Sequence, residues 1–110
     1  MEPFSKGERK ILRKAASLAF ERDLGILLGK LDEQFVRWRS GSIDNFALCE
    51  AIHQFDSGPA RELVNQYEIL DADVLTGRAL SRGVLKENEV PENIRARLAK
   101  FIEFFDRQKE

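Results

Sequence analysis

The sequence is poor in cysteine, which cross-links proteins, and in threonine, which favours strands. A single cysteine, Cys49, excludes an intrachain disulfide, so nothing indicates an oxidising compartment. Threonine occurs once, at Thr76, and no segment alternates apolar and polar residues as a half-buried strand would. Instead there are 13 leucines and 10 alanines, which fit helices at little entropic cost. We therefore expect an all-α fold, a compact bundle of five or six helices with a long N-terminal helix.

Long hydrophobic runs are also missing. The longest apolar patch, from Leu24 to Leu31, is interrupted by Lys30 and falls well short of the roughly 20 residues that a membrane span needs. The first eight residues lack the basic start and apolar run of a secretory signal. We expect a cytoplasmic protein that makes no membrane contact and folds as a single helical domain over residues 1–110.

Charge of one sign does not dominate, because the net charge is −1 at pH 7. No bulk electrostatic field therefore attracts nucleic acid or a membrane. The charges are nevertheless segregated, since residues 42–75 carry seven acidic side chains and one basic one. Residues 1–41 carry nine basic and six acidic side chains. We expect this acidic centre to be balanced within the fold or across a subunit contact, although a cationic partner would also fit.

Capping and turn residues predict where the helices begin and end. Ser5 and Glu8 have the spacing of a capping box, and Gly41 suits the left-handed C-terminus of the first helix. Ser42 is the expected cap of the second helix, and Pro59 suits the first turn of the third. Beyond the first helix, we expect helices over residues 42–55, 59–68, 71–83 and 91–107.

The first helix carries apolar residues on two nearly opposite faces. At about 100° per residue, the two sets are Ile11, Leu12, Ala15, Leu18, Ala19 and Ile26, and Phe20, Leu24, Leu27, Leu28, Leu31, Phe35 and Trp38. One interpretation is that the helix bends or breaks near Asp23-Leu24-Gly25, where Asp23 could cap a new segment. The other is that it stays continuous and its halves pack on different bodies, one of them a second copy of the protein.

Two glycines and one aromatic residue indicate self-association. Gly25 and Gly29 are four residues apart on one helix face, where the lack of side chains lets another helix approach closely. The adjacent Phe104 and Phe105 point in different directions, so they can serve two surfaces. We predict a homodimer, and the residues that we assign to its contact are Ile11, Leu18, Gly25, Gly29 and Phe104.

The sequence predicts no catalytic residue, no metal site and no cofactor. Glu50 and Cys49 each share a helix face with His53, but His53 is the only histidine and metal sites usually need three or four protein ligands. There is no nucleophile elbow and no glycine-rich phosphate loop. We predict a non-enzymatic interaction or regulatory module that acts through protein–protein contacts. A metal-dependent helical protein that uses Glu50 and His53 is the second alternative.

A basic face on the first helix supports the first alternative, a nucleic-acid-binding regulator. The face consists of Lys6, Arg9, Lys10, Arg13 and Lys14, which follow helical spacing. Such a face could meet phosphates, and we assign that contact chiefly to Arg9, Lys10 and Arg13. The competing interpretation is an ordinary solvated surface opposite the apolar stripe, which makes nucleic acid the less favoured partner.

Overall fold

The computed structural model describes residues 3–109, which form α-helices joined by short turns. The α-helices in these residues are α1 (Lys6–Arg39), α2 (Asn45–Phe55), α3 (Arg61–Ile69), α4 (Ala72–Arg82), α5 (Glu92–Arg97) and α6 (Ala99–Gln108). A π-helical segment, Asp56–Ala60, joins α2 to α3, and a 3-10 turn, Glu87–Glu89, precedes α5. No strand occurs in this part of the chain. The predicted all-α class and the long N-terminal helix are confirmed.

The predicted capping box begins α1. The Ser5 amide donates to Glu8 Oε1 at 2.8 Å, and the Glu8 amide donates to Ser5 Oγ at 3.1 Å. Glu8 also forms an ion pair with Arg97 at 3.3 Å, and the Arg97 guanidinium lies 4.1 Å from the centroid of the Phe4 ring. The hydrogen bond from the Ser5 amide is the main reason that the pKa of Glu8 lies below its usual value. These contacts tie the start of α1 to α5.

In the turn after α1, the predicted left-handed glycine is present, but the predicted cap of α2 is not. Gly41 has a φ of 81°, the left-handed conformation that ends a helix without steric cost to glycine. Ser42 does not cap α2, because its hydroxyl bonds to the Ser40 hydroxyl at 3.0 Å. The cap is Asp44, whose carboxylate accepts a hydrogen bond from the Ala47 amide at 2.8 Å.

The expected break between the second and third helices does not occur. The backbone stays right-handed from Phe55 to Arg61, through the π-helical segment Asp56–Ala60. Pro59 lies inside this segment, so it does not open a separate helix as predicted. Proline has no amide hydrogen to donate, and a local change of helix register is one way to accommodate it. The chain therefore passes from α2 into α3 without a loop.

The last predicted helix is divided in two. Leu98 has φ −94° and ψ 1°, which interrupts the helix between α5 and α6. Its amide donates to the Arg95 carbonyl at 3.0 Å, as in a tightened turn, and its own carbonyl accepts from the Ile102 amide at 3.0 Å. Leu98 and Ile94 are both fully buried. Because Leu98 stays buried in this turn, the apolar spacing continues through it, and the sequence predicted a single helix.

Helix α1 is continuous, so the interpretation with a break near Asp23-Leu24-Gly25 is wrong. Asp23 does not cap a new segment. Its carboxylate is buried and accepts a hydrogen bond from the Tyr67 hydroxyl of α3 at 2.8 Å. A hydrogen bond of this kind offsets part of the cost of removing a carboxylate from water.

The chain divides into two compact units, and the division falls where the apolar stripe of α1 changes face. The first unit holds the described residues up to Arg22 and from Ile69 onward, and the second holds Asp23–Glu68. The N-terminal part of α1 thus packs in one unit and its C-terminal part in the other. Each set is covered within the chain only in part, because Ile11, Ile26, Leu28 and Trp38 stay exposed. A single domain over residues 1–110 stays a prediction.

Helix α4 is the central element of the first unit. All five residues from Leu75 to Ala79 are buried, so α4 is enclosed on every side over more than one turn. A Cβ atom at Gly77 would lie 2.7 Å from the Phe101 Cβ atom, which shows how closely α4 and α6 pack. Other buried apolar side chains of this unit are Leu12, Ala15, Ala16, Ala19, Leu85, Val90, Ile94 and Leu98.

An ion pair attaches the connector between α4 and α5 to α1. The Arg22 guanidinium bonds both carboxylate oxygens of Glu89, each at 2.7 Å, and also donates to the Val84 carbonyl at 2.9 Å. The Lys86 amide donates to the same carboxylate at 2.9 Å. The bond from Arg22, followed by the bond from the Lys86 amide, lowers the pKa of Glu89 to about 2.

The contribution of Glu89 to stability is expected to disappear in acid. Its folded-state pKa lies below the usual value of about 4.3 for the unfolded chain, so the folded state binds fewer protons. The contribution is therefore complete above about pH 5 and is lost as the pH falls towards about 2. Glu89→Gln should lower the melting temperature at neutral pH, and the difference from wild type should shrink across this range.

Thermal unfolding followed by circular dichroism at a series of pH values would measure this difference. Glu87→Gln is the matched control, because the Glu87 side chain is 87% exposed and lies 3.7 Å from Arg95. Its effect on the melting temperature should be small at every pH. If the melting temperature of Glu89→Gln lies as far below that of wild type near pH 2 as it does above pH 5, the prediction is contradicted.

Candidate functional site

The second unit buries little of its apolar surface. Within Asp23–Glu68, Leu48 is the one apolar side chain that is fully buried. Six large apolar side chains of the unit are exposed, namely Ile26, Leu28, Val36, Trp38, Phe46 and Ile52. A segment of this size gains little stability from one buried leucine, because small units bury the smallest fraction of their surface. Where such side chains adjoin one another, they are candidates for a contact with another molecule.

The inner side of α1 in this unit is partly covered. Leu27 and Leu31 are half-buried and line a cavity of about 300 Å³ together with Ala51 and Phe55 of α2. These leucines belong to the second apolar set of α1, but two other members of that set, Leu28 and Trp38, are exposed. The predicted stripe is therefore covered only in part, and another side of α1 carries apolar residues as well.

We call that other side the glycine face; its residues are Gly25, Ile26, Leu28, Gly29 and Val36. Gly25, Gly29 and Val36 lie along one line of the helix, since their spacings of four and seven residues bring them to the same side. Ile26 and Leu28 flank this line. A Cβ atom built on either glycine would meet no atom within 4 Å outside its own helix. Both glycines therefore face open space, and a partner helix could approach the backbone there.

The five residues assigned to self-association are divided between the two units. Gly25 and Gly29 belong to the second unit, and Ile11, Leu18 and Phe104 belong to the first. Ile11 and Phe104 are exposed, and Leu18 is half-buried. All five are thus at least partly accessible, and their role in self-association stays a prediction.

The two adjacent phenylalanines of α6 differ in burial as expected. Phe104 is exposed, whereas Phe105 is half-buried, and their rings pack edge to face with centroids 5.1 Å apart. This contact holds the Phe104 ring in place while leaving it accessible to a partner.

Phe46, on the outer face of α2, was not singled out from the sequence. Phe46 is 86% exposed there, and Cys49, Glu50 and His53 on the same face are exposed as well. The helical spacing held a usable signal, because Phe46 lies about 200° around the helix from the buried Leu48. An exposed phenylalanine of this degree is uncommon, and it makes the outer face of α2 a second candidate surface.

Glu50 and His53, the pair proposed for metal binding, are exposed. Few other side chains that can bind a metal lie near them. Glu50 Oε1 accepts a hydrogen bond from Gln54 Nε2 at 3.0 Å. Over residues 3–109 there is no group of three His, Cys, Asp or Glu side chains placed to hold a metal ion. Since protein metal sites usually use three or more such ligands, the geometry gives the alternative with Glu50 and His53 no support.

All five side chains of the basic face are exposed, and none of them joins an ion pair within residues 3–109. Glu8, the acidic residue within this stretch, is paired with Arg97 instead. Arg9 and Arg13 line a cavity of about 370 Å³ together with Asp71 and Asp73. These carboxylates weaken the attraction of the two arginines for phosphate.

None of the described helices is both long and apolar enough to cross a membrane. Comparison with family models, with curated proteins and with solved structures finds no match to this chain. The candidate sites therefore rest on surface geometry, and the glycine face, the outer face of α2 and the basic face are three candidate surfaces among the described residues.

Proposed function

We propose that this chain is a non-enzymatic helical interaction module that acts through protein–protein contacts and pairs with a second copy of itself. The observation that carries the proposal is the glycine face, an apolar side of α1 with two open glycines in a unit that fully buries one leucine. We also propose a cytoplasmic location, on the sequence alone.

A rough energy estimate indicates what the glycine face can contribute. Ile26, Leu28 and Val36 are 55%, 53% and 50% exposed. Covering the exposed half of such a side chain is worth about 1 kcal/mol, or about 6 kcal/mol for three residues on each of two copies. Association itself costs roughly 4–15 kcal/mol in lost freedom of motion. The glycine face therefore supports pairing but needs help from other contacts to make a stable dimer.

Leucine at both glycines is expected to weaken the pairing. In the double variant Gly25→Leu/Gly29→Leu, two large side chains would fill the space into which a partner helix fits. The mass from multi-angle light scattering should fall towards that of a 12.6 kDa monomer on dilution sooner than for wild type. Helix content should be unchanged or slightly higher, since leucine favours helix over glycine by up to about 1 kcal/mol.

Asn93→Leu is the control, because it adds one leucine to an exposed position of α5, outside the glycine face and the residues assigned to self-association. It should keep the wild-type mass. A double glycine variant whose mass follows that of wild type through the whole dilution series would exclude this contact.

The nucleic-acid alternative uses the basic face and has some support from its exposure. It is the weaker candidate because Asp71 and Asp73 adjoin two of its arginines and because the whole chain is slightly acidic. The metal-dependent alternative with Glu50 and His53 gains no support from the geometry.

A further inference from the structure

We infer that a cavity in the first unit binds a small zwitterion, namely a free α-amino acid with an apolar side chain. The cavity has a volume of about 370 Å³ and lies wholly within the first unit. We call it the mixed-charge cavity, because its lining includes Phe4, Arg9, Leu12, Arg13, Asp71 and Asp73. None of its lining residues is assigned to self-association, so the inference goes beyond the proposed function.

The opposite charges of the mixed-charge cavity are held apart instead of being paired. Arg9 and Arg13 line the same cavity as Asp71 and Asp73, yet none of the four joins an ion pair among the described residues. Arg9 donates to the Phe4 carbonyl at 3.4 Å, which uses one of the five N–H donors of a guanidinium. A ligand that carries both charges can therefore bridge the two sets.

The positions of the charged groups suit the two ends of an amino acid. Arg9 and Arg13 are four residues apart, so they lie on one side of α1, and a guanidinium binds a carboxylate through two parallel hydrogen bonds. Asp71 and Asp73 lie at the start of α4. The Val74 amide donates to Asp73 Oδ1 at 2.8 Å, which fixes that carboxylate in place. An ammonium group has three N–H donors for these carboxylates.

Ligands of one charge sign are disfavoured by the same lining. The aspartates repel a phosphate or a simple carboxylate, and the arginines repel a simple amine. In a zwitterion, both charges are attracted to the side of the cavity that carries the opposite sign. The lining therefore selects for a ligand without net charge that still has two charged groups.

An apolar floor accounts for the side chain of the ligand. Leu12 is 2% exposed, and Phe4 is half-buried with the Arg97 guanidinium 4.1 Å from its ring centroid. The ring is thus held in place beside the charged groups. A water-sized group occupies about 30 Å³, so the cavity holds about twelve such groups, which is enough for an amino acid of the size of leucine. Small-molecule sites usually combine apolar walls with a few placed polar groups.

Titration of the isotope-labelled protein with L-leucine, followed by amide chemical shifts in NMR, tests the inference. We expect a dissociation constant of the order of 1 mM, because charges that stay in contact with water each contribute little. The shifts should concentrate at Arg9–Arg13 and at the start of α4. N-acetyl-L-leucine lacks the ammonium and L-leucinamide lacks the carboxylate. Each should bind at least about fivefold more weakly than leucine.

Two variants remove one charge each from the cavity. Arg13→Gln and Asp71→Asn should both weaken leucine binding at least about fivefold. Both should fold, since glutamine favours helix about as well as arginine, and asparagine caps a helix about as well as aspartate. Lys10→Gln and Glu62→Gln are the controls, because they remove exposed charges outside the lining. They should bind leucine as wild type does.

Three results would overturn the inference. The first is the absence of any shift up to about 20 mM leucine. The second is binding of N-acetyl-L-leucine or L-leucinamide that is as tight as that of leucine. The third comes from O-phosphoethanolamine, a zwitterion without an apolar side chain. If it binds more tightly than leucine, the cavity takes a polar head group and not an apolar amino acid. The proposed self-association is measured separately by the dilution series and does not depend on these results.

Discussion

Replacing Leu98 by alanine is expected to lower the free energy of unfolding by about 2–5 kcal/mol. Leu98 is 0% exposed and occupies the junction between α5 and α6, where it meets the interior of the first unit. Removing its terminal methyl groups loses their burial and leaves a cavity that the surrounding helices fill only in part. For a chain whose total stability is of the order of 5–15 kcal/mol, this is a large fraction.

Ile69→Ala is the control, because it truncates an apolar side chain that is 78% exposed and lies outside the proposed dimer contact. An exposed substitution of this kind should change stability by no more than about 0.5 kcal/mol. Urea denaturation followed by circular dichroism compares the two variants directly. Similar midpoints for Leu98→Ala and Ile69→Ala would mean that the junction is not the packed centre described above.

The second large effect is expected at Gly77. Gly77→Ala should destabilise the chain by about 1–3 kcal/mol, although alanine is the better helix former. The added Cβ atom would lie 2.7 Å from the Phe101 Cβ atom, closer than carbon atoms can approach. Because that atom is attached directly to the backbone of α6, it cannot move aside by a change of rotamer. The clash is relieved only if α4 and α6 move apart, and this movement loosens the core of the first unit.

Gly58→Ala makes the same change where the structure leaves room, in the right-handed segment between α2 and α3. No atom outside its own helix lies within 4 Å of the new Cβ atom, so the gain in helix propensity of up to about 1 kcal/mol should appear undiminished. The two variants are therefore expected to shift the urea midpoint in opposite directions. A stabilising effect of Gly77→Ala would contradict the close packing of α4 on α6.

Local chemistry was predicted well from the sequence. The capping box of Ser5 and Glu8 and the left-handed Gly41 depend on residues within a few positions of one another, and both are present in the structure. The cap of α2 was predicted two residues early, since the sequence offers both Ser42 and Asp44 and only the bond between Ser42 and Ser40 decides between them. The π-helical segment at Pro59 was missed for a related reason, because proline ends many helices but is accommodated in others.

The candidate surfaces were predicted only in part. The spacing of Gly25 and Gly29 pointed to an open helix face, and both glycines are exposed. Phe46 was overlooked because a phenylalanine in an amphipathic helix is expected to be buried. Its exposure follows from Leu48 facing inward on the same helix. Whether Phe46 or Leu48 faces the interior depends on where the neighbouring helices lie, and the sequence of α2 does not give their positions.

The sequence by itself determined the helical class, the ends of the first helix and the change of face along it, because propensity, capping and periodicity act over a few residues. Only the tertiary structure decided that this helix stays continuous and that its two parts belong to two separate units. The same holds for the interruption at Leu98 and for the close contact at Gly77. These features depend on residues distant in sequence, since packing space is set by whichever helices meet there.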